Sequence, residues 1–385
     1  MPDVHLFLKA FLSAASASTI FVLAFAVCRC GKDGSAPESR LSATAILLSA
    51  ALGMVVGSWV LQVQWKWPPV NAMDRFRELI LPVTVAVELL ACWKMTPRPI
   101  VWALRGCVAS GIGGVLFYGS AYVTRGAEIL IPWQTWQILV STLLSLIGVW
   151  LVLYKLATRP AAASMGIAVA MCLHTAGLVV MLAGYINGGA AAIPLGGALL
   201  AASVVTWIVA GTADVRGLIS VAVVSLFGLL FIGRFFGNIS TTQALVIFFA
   251  PLLCWVTEFP VIRRLPPFRI GVIRIVLVSI PLLIVLVLSK MDFDERMAPL
   301  IAGIGDRSEI VSLNHCDSAQ RAWASRPGQR LFPVRDPAQL EPPWRAGESN
   351  SLFDGAKSSP LEFNGVPSVG QVDFYCFGIG HWLGF

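Results

Sequence analysis

The sequence predicts an all-α protein: a polytopic transmembrane helix bundle of about ten spans, followed by an irregular C-terminal tail. Three observations carry that reading. Ten apolar stretches fill residues 5 to 290. Each approaches the roughly 20 residues that a helix rising about 1.5 Å per residue needs to cross a bilayer. Only 13% of the 385 residues are charged, where soluble domains carry about 25%. The apolar runs also lack a polar stripe at helical period, as expected of helices surrounded by lipid. Helices close their backbone hydrogen bonds within one segment, so unbroken apolar runs of this length exclude a barrel.

The first span, 8–28, has its apolar core from about Thr19 to Cys28, behind Lys9. That shape also suits a signal peptide. However, no small-x-small cleavage site follows, and cleavage would leave the basic loop up to Arg40 outside, so a retained helix is expected. The second span, 42–63, contains Gly53 and Gly57 at the spacing that lets helix backbones approach closely. The third, 78–93, is short and carries Pro82 and Glu88. The fourth and fifth, 100–122 and 135–156, carry Trp102, Tyr122, Trp136 and Trp150 near their ends, as interfacial anchors do.

The sixth, 162–186, has His174 at its middle. The seventh, 190–211, is lined by Gly196, Gly197, Ala198, Ala201 and Ala202, a second small-residue packing face. The eighth, 217–233, is short and ends in Gly233-Arg234-Phe235-Phe236-Gly237. The ninth, 241–258, closes on Glu258, and the tenth, 270–289, stops at Lys290. Ten spans would allow two repeats of five, but Pro82 and Pro194 do not fall at corresponding positions, so no repeat is claimed.

Charge orients the bundle. Residues 1–290 carry 20 Lys/Arg against 9 Asp/Glu, and residues 291–385 carry 8 against 12. Loops and helix ends after odd-numbered spans hold thirteen of the cations, among them Arg40, Lys94, Arg98, Lys155, Arg159, Arg263 and Arg264. The other side holds seven, including Lys66, Arg75, Arg77 and Arg234. The positive-inside rule assigns the first set to the cytoplasm and both termini to the outside. Because the cations come one to four at a time, they form no contiguous basic face, and nucleic acid is not expected as a partner. The lipid bilayer is.

Domain organisation follows the same division: residues 1–290 as the transmembrane domain and 291–385 as an extramembrane tail, disordered or poorly folded. The tail holds Pro, Gly, Ser and Arg throughout and no run long enough for a span. A slipped reading frame would give the same abrupt change in composition. His315, Cys316, Cys376 and His381 match no closed zinc spacing, and a Cys316–Cys376 disulfide is the alternative. Cys28 and Cys30 form a C-x-C without a second pair nearby. No metal site and no cofactor is implied.

Two residues stand where polarity is costly. Glu88 and His174 are both predicted near mid-membrane, where an ionisable group is a functional candidate. Together they could relay a proton or bind a cation. Alternatively, a protonated Glu88 hydrogen-bonds a neighbouring helix and His174 is a neutral core imidazole. Arg234, between Gly233 and two phenylalanines, is a candidate to catch an anionic headgroup or substrate, or simply to fix a helix end. Lys9, Arg105 and Arg274 are expected to snorkel from helix ends, and Glu258 to pair with Arg263 or Arg264. The P-loop, nucleophile-elbow and H-E-x-x-H patterns are missing, which removes support from ATP-driven transport and the common membrane hydrolases.

Trp67-Pro68-Pro69 with Asp74-Arg75, then Gly184-Tyr185, Gly188-Gly189, Gly233-Arg234-Phe235-Phe236-Gly237 and Ala250-Pro251-Leu252, resembles uncharacterised bacterial polytopic membrane proteins over about residues 40–290. The resemblance implies a bacterial inner membrane and carries over no assigned activity. The expected function is a transporter-like or channel-like role for a small solute or ion. The alternatives are a non-catalytic scaffold or assembly subunit, with a second copy or another membrane protein as partner, and then a lipid-acting enzyme.

Overall fold

The computed structural model describes residues 4–33, 43–63, 67–93, 96–118, 120, 133–159, 161–210 and 214–310. Most of these residues are helical, and there is no strand among them. In chain order the helices are α1 (Val4–Asp33), α2 (Ala43–Val60), α3 (72–92), α4 (Arg98–Phe117), α5 (Trp133–Leu156), α6 (Ala162–Leu182), α7 (Ile186–Ala210), α8 (Arg216–Phe235), α9 (241–258) and α10 (Pro267–Ile310). Among the described residues, nine helices are individually long and apolar enough to cross a membrane, and α3 supplies a tenth continuous helical stretch. The chain is a multi-pass integral membrane protein. The tail beyond Ile310, with His315, Cys316, Cys376 and His381, lies outside the described residues.

Proline explains the two irregular helices. In α3 a turn of π-helix, Phe76–Ile80, interrupts the α-helix just before Pro82. Pro82 has no N–H to give the carbonyl of Glu78, and the wider turn absorbs the break. The third span therefore begins at Ala72, six residues earlier than the hydropathy suggests, and takes in Arg75 and Arg77 ahead of Glu78. In α9, Pro251 likewise follows the switch from α-helix (Thr241–Phe249) to 3-10 helix (Ala250–Glu258). Pro194, by contrast, sits inside α7 without ending it. The tenth helix does not stop at Lys290: it continues to Ile310, with Lys290 bonded to Asp294 one turn on at 2.6 and 2.7 Å.

Helix α8 is the centre of the bundle. Residues Gly217 through Gly233 are all buried, and α8 packs against α2, α3, α4, α5, α6, α7 and α9. A second focus joins α1, α2 and α7, and α6 packs along both α7 and α10. Small residues make these approaches possible. A Cβ built on Gly57 would stand 2.6 Å from Pro194 Cβ and 2.9 Å from the Ala10 carbonyl oxygen. One on Gly53 would stand 2.7 Å from the Ala14 carbonyl oxygen. The Gly53/Gly57 pair is thus the seam where α2 meets both α1 and α7, as small-x-x-x-small spacing predicts. Ser18 on α1 closes the same junction by donating to the Ala198 carbonyl at 3.1 Å.

Candidate functional site

The hairpin of α3 and α4 carries the principal buried charge. Glu88 stands one turn before the end of α3 at Cys92, and Arg105 lies seven residues into α4. The intervening turn is short, so the two positions sit at similar heights above it. Arg105 donates from Nε to Glu88 Oε1 at 2.8 Å and from an Nη to Oε2 at 2.6 Å. This is the two-pronged arrangement in which guanidinium and carboxylate geometries match. The side chains are 4% and 1% exposed.

Aromatic rings enclose the guanidinium. Its Cζ lies 4.9 Å from the Trp102 ring centroid and 4.4 Å from that of Tyr154 on α5. Such faces stabilise a cation withdrawn from water. Arg216, at the start of α8, reaches the same Tyr154 ring at 5.7 Å and is paired with Asp214. Trp150 on α5 donates its indole N–H to Ser220 on α8 at 2.9 Å, and Ser220 donates to the Arg216 carbonyl at 3.0 Å. Behind Glu88, α8 presents Gly217, where a Cβ would come 3.7 Å from Oε2. Four helices therefore converge on one ion pair. Asp214 lies at the edge of the bundle: partial burial pushes its carboxyl up, but the hydrogen-bonded Arg216 outweighs this and holds it below the usual carboxylate value.

A second hairpin repeats the device at the same end of the bundle. In α10, Arg274 is 1% exposed. Its Nε donates to Thr257 Oγ1 at 2.9 Å, one Nη to the Ala161 carbonyl at 3.1 Å, and the other to Glu258 at 3.4 Å. Thr257 precedes Arg274 by 17 residues, as Glu88 precedes Arg105.

Several sequence expectations change accordingly. Arg105 and Arg274 do not snorkel to water; they are buried and bonded. Glu258 pairs with Arg274 and, at 3.8 Å, with Arg159, rather than with Arg263 or Arg264. Glu88 lies nearer the end of α3 than its middle, because that helix starts earlier. His174 is set elsewhere: Nδ1 lies 2.8 Å from the Ala170 carbonyl oxygen one turn back in α6, its ring meets Phe11 of α1 edge-on at 5.3 Å, and Gly196 of α7 faces it. Glu88 and His174 share none of these neighbours. Arg234 donates from Nε to Thr241 at 2.8 Å and so ties the end of α8 to the start of α9. Thr241 follows a capping box in which Ser240 and Gln243 bond each other's backbone N–H.

Sequence reasoning gave Arg105, Arg274 and Trp102 only an anchoring role and passed over Tyr154 and the buried Arg77–Glu78 pair, bonded at 3.0 Å. A usable signal existed for the two hairpins. In each, an acidic or hydroxyl residue precedes an arginine by 17 residues across the connection between two consecutive helices, a separation that lets the two meet across the hairpin. Among the described residues, no three His, Cys, Asp or Glu side chains gather as a metal site. No protein-family model matches this chain, and no curated protein matches it either.

Proposed function

We propose that this chain is a non-catalytic scaffold or assembly subunit of a bacterial inner membrane, with its cation-rich end in the cytoplasm and both termini outside. The observation supporting the reading is that the buried charges are consumed by one another. Both oxygens of Glu88 are engaged by Arg105, which is itself enclosed by Trp102 and Tyr154. A carboxylate held in this way cross-links helices, and freeing it for a proton or an ion would leave the buried Arg105 without its partner.

Reconstituted vesicles test it. The protein should give no pH-dependent ion or solute flux above empty vesicles. A flux that Glu88→Gln abolishes while helicity and stability persist would overturn the scaffold. A transport role is the second reading, and one observation favours it: His174 Nε2 is buried and has no hydrogen-bond partner among the described residues. A flux lost in His174→Ala but kept in Glu88→Gln would support it. For orientation, cysteines placed near Arg264 should be protected from an impermeant reagent outside intact cells, and those near Asn238 should react.

A further inference from the structure

At the cation-rich end, where α5 and α9 finish, a groove of about 310 Å³ opens at the boundary of the bundle. Lys155, Arg159 and Arg263 bring three cations to it, and Trp255 and Phe259 supply aromatic walls. Its one carboxylate, Glu258, is already engaged from behind by buried Arg274 and from the side by Arg159. Lys155 and Arg263 are exposed and have no carboxylate partner among the described residues. The groove is therefore net cationic, although it contains an acid.

Its apolar surroundings identify the phase it faces. Phe259 is 61% exposed and caps the short helical turn Pro260–Arg263 that follows α9, in which Val261 is 82% exposed. Exposed apolar rings and basic side chains on one turn at a span's end belong at the headgroup layer, where the rings enter the acyl boundary and the cations meet phosphate.

From this geometry we infer that the groove is a binding site for the headgroup of an anionic phospholipid. Lys155, Arg159 and Arg263 hold the phosphate, and Trp255 and Phe259 lie against the upper acyl chains. Charge complementarity selects an anion, and the aromatic mouth selects a lipid over a free anion or an acidic protein segment.

The test uses the full chain purified in a neutral detergent, with native mass spectrometry counting retained lipid during titration with phosphatidylglycerol or phosphatidylcholine. Phosphatidylglycerol should be preferred. Lys155→Ala with Arg263→Ala should weaken its binding by roughly 30-fold, at about five-fold for each cation near the surface. The charge-retaining Lys155→Arg with Arg263→Lys should keep the preference, as should Arg264→Ala, which removes a cation outside the groove. Should the double alanine variant fail to fold, Arg263→Ala alone decides, with a five-fold loss expected. Equal retention of the two lipids overturns the assignment, as does phosphatidylglycerol binding unchanged in the variants. Displacement of the lipid by millimolar inorganic phosphate would make this a free-anion site and overturn it too.

Discussion

Arg105 concentrates the energetics of the bundle in one side chain. Removing it leaves the Glu88 carboxylate 1% exposed with no counter-charge. Breaking a buried pair from one side costs about 3–5 kcal/mol, whereas replacing both partners by neutral groups costs much less. Arg105→Ala should therefore lower unfolding stability in detergent by that amount. Glu88→Gln combined with Arg105→Gln should recover most of the loss. Asp214 gives a weaker, pH-dependent effect. Its carboxyl is held below the ordinary value, so the contribution of its pair with Arg216 is complete above about pH 4 and fades as pH falls through the folded value. With both side chains about 40% exposed, Asp214→Asn should cost less than about 1 kcal/mol at pH 7 and nothing in strong acid, as thermal melts at the two pH values would show. The sequence made Glu88 conspicuous, since a carboxylate in an apolar run is costly wherever it points. It left Arg105 looking like an interfacial anchor. An arginine a few residues inside a helix reads the same whether it reaches up to headgroups or across to a neighbour.

Between helices, the determining quantity is how closely backbones approach. At Gly57 any Cβ meets Pro194, Ala14 and the Ala10 carbonyl within 3 Å, and all three are fixed to helix backbones that cannot swing aside. Gly57→Ala should destabilise by about 1–3 kcal/mol despite its better helix propensity. At Gly111, in the middle of α4, a Cβ would meet nothing within 4 Å. Gly111→Ala should stabilise by about 0.5–1 kcal/mol through reduced backbone entropy in the unfolded chain. Parallel denaturation of the two variants checks the contrast, and equal effects would refute it. The spacing of Gly53 and Gly57 announced a packing seam without naming its partners. The extent of α3 was hidden for a different reason: Arg75 and Arg77 read as loop residues, although the helix starts at Ala72 and runs through a π-turn ahead of Pro82, with Arg77 buried.

At the scale of the whole bundle, two charge-bearing hairpins stand at one end, α3–α4 and α9–α10, and their bonded partners do not overlap. Independent sites give additive effects. The stability losses of Arg105→Ala and Arg274→Ala should therefore sum in the double variant to within about 0.5 kcal/mol, measured as chemical unfolding in one detergent. A shortfall well beyond that would mean the two hairpins act as one structural unit. Ten helical segments, their order and the crowding of cations at one end are legible along the chain, because each depends on the chemistry of neighbouring residues and on the thickness of hydrocarbon. Which helix lies at the centre, that Glu88 takes Arg105 instead of His174, and that a cationic groove forms between α5 and α9 depend on contacts between residues far apart in sequence. Lipid makes every apolar face of a helix nearly equivalent, so hydropathy cannot choose among them, and only close packing and the pairing of buried charges do.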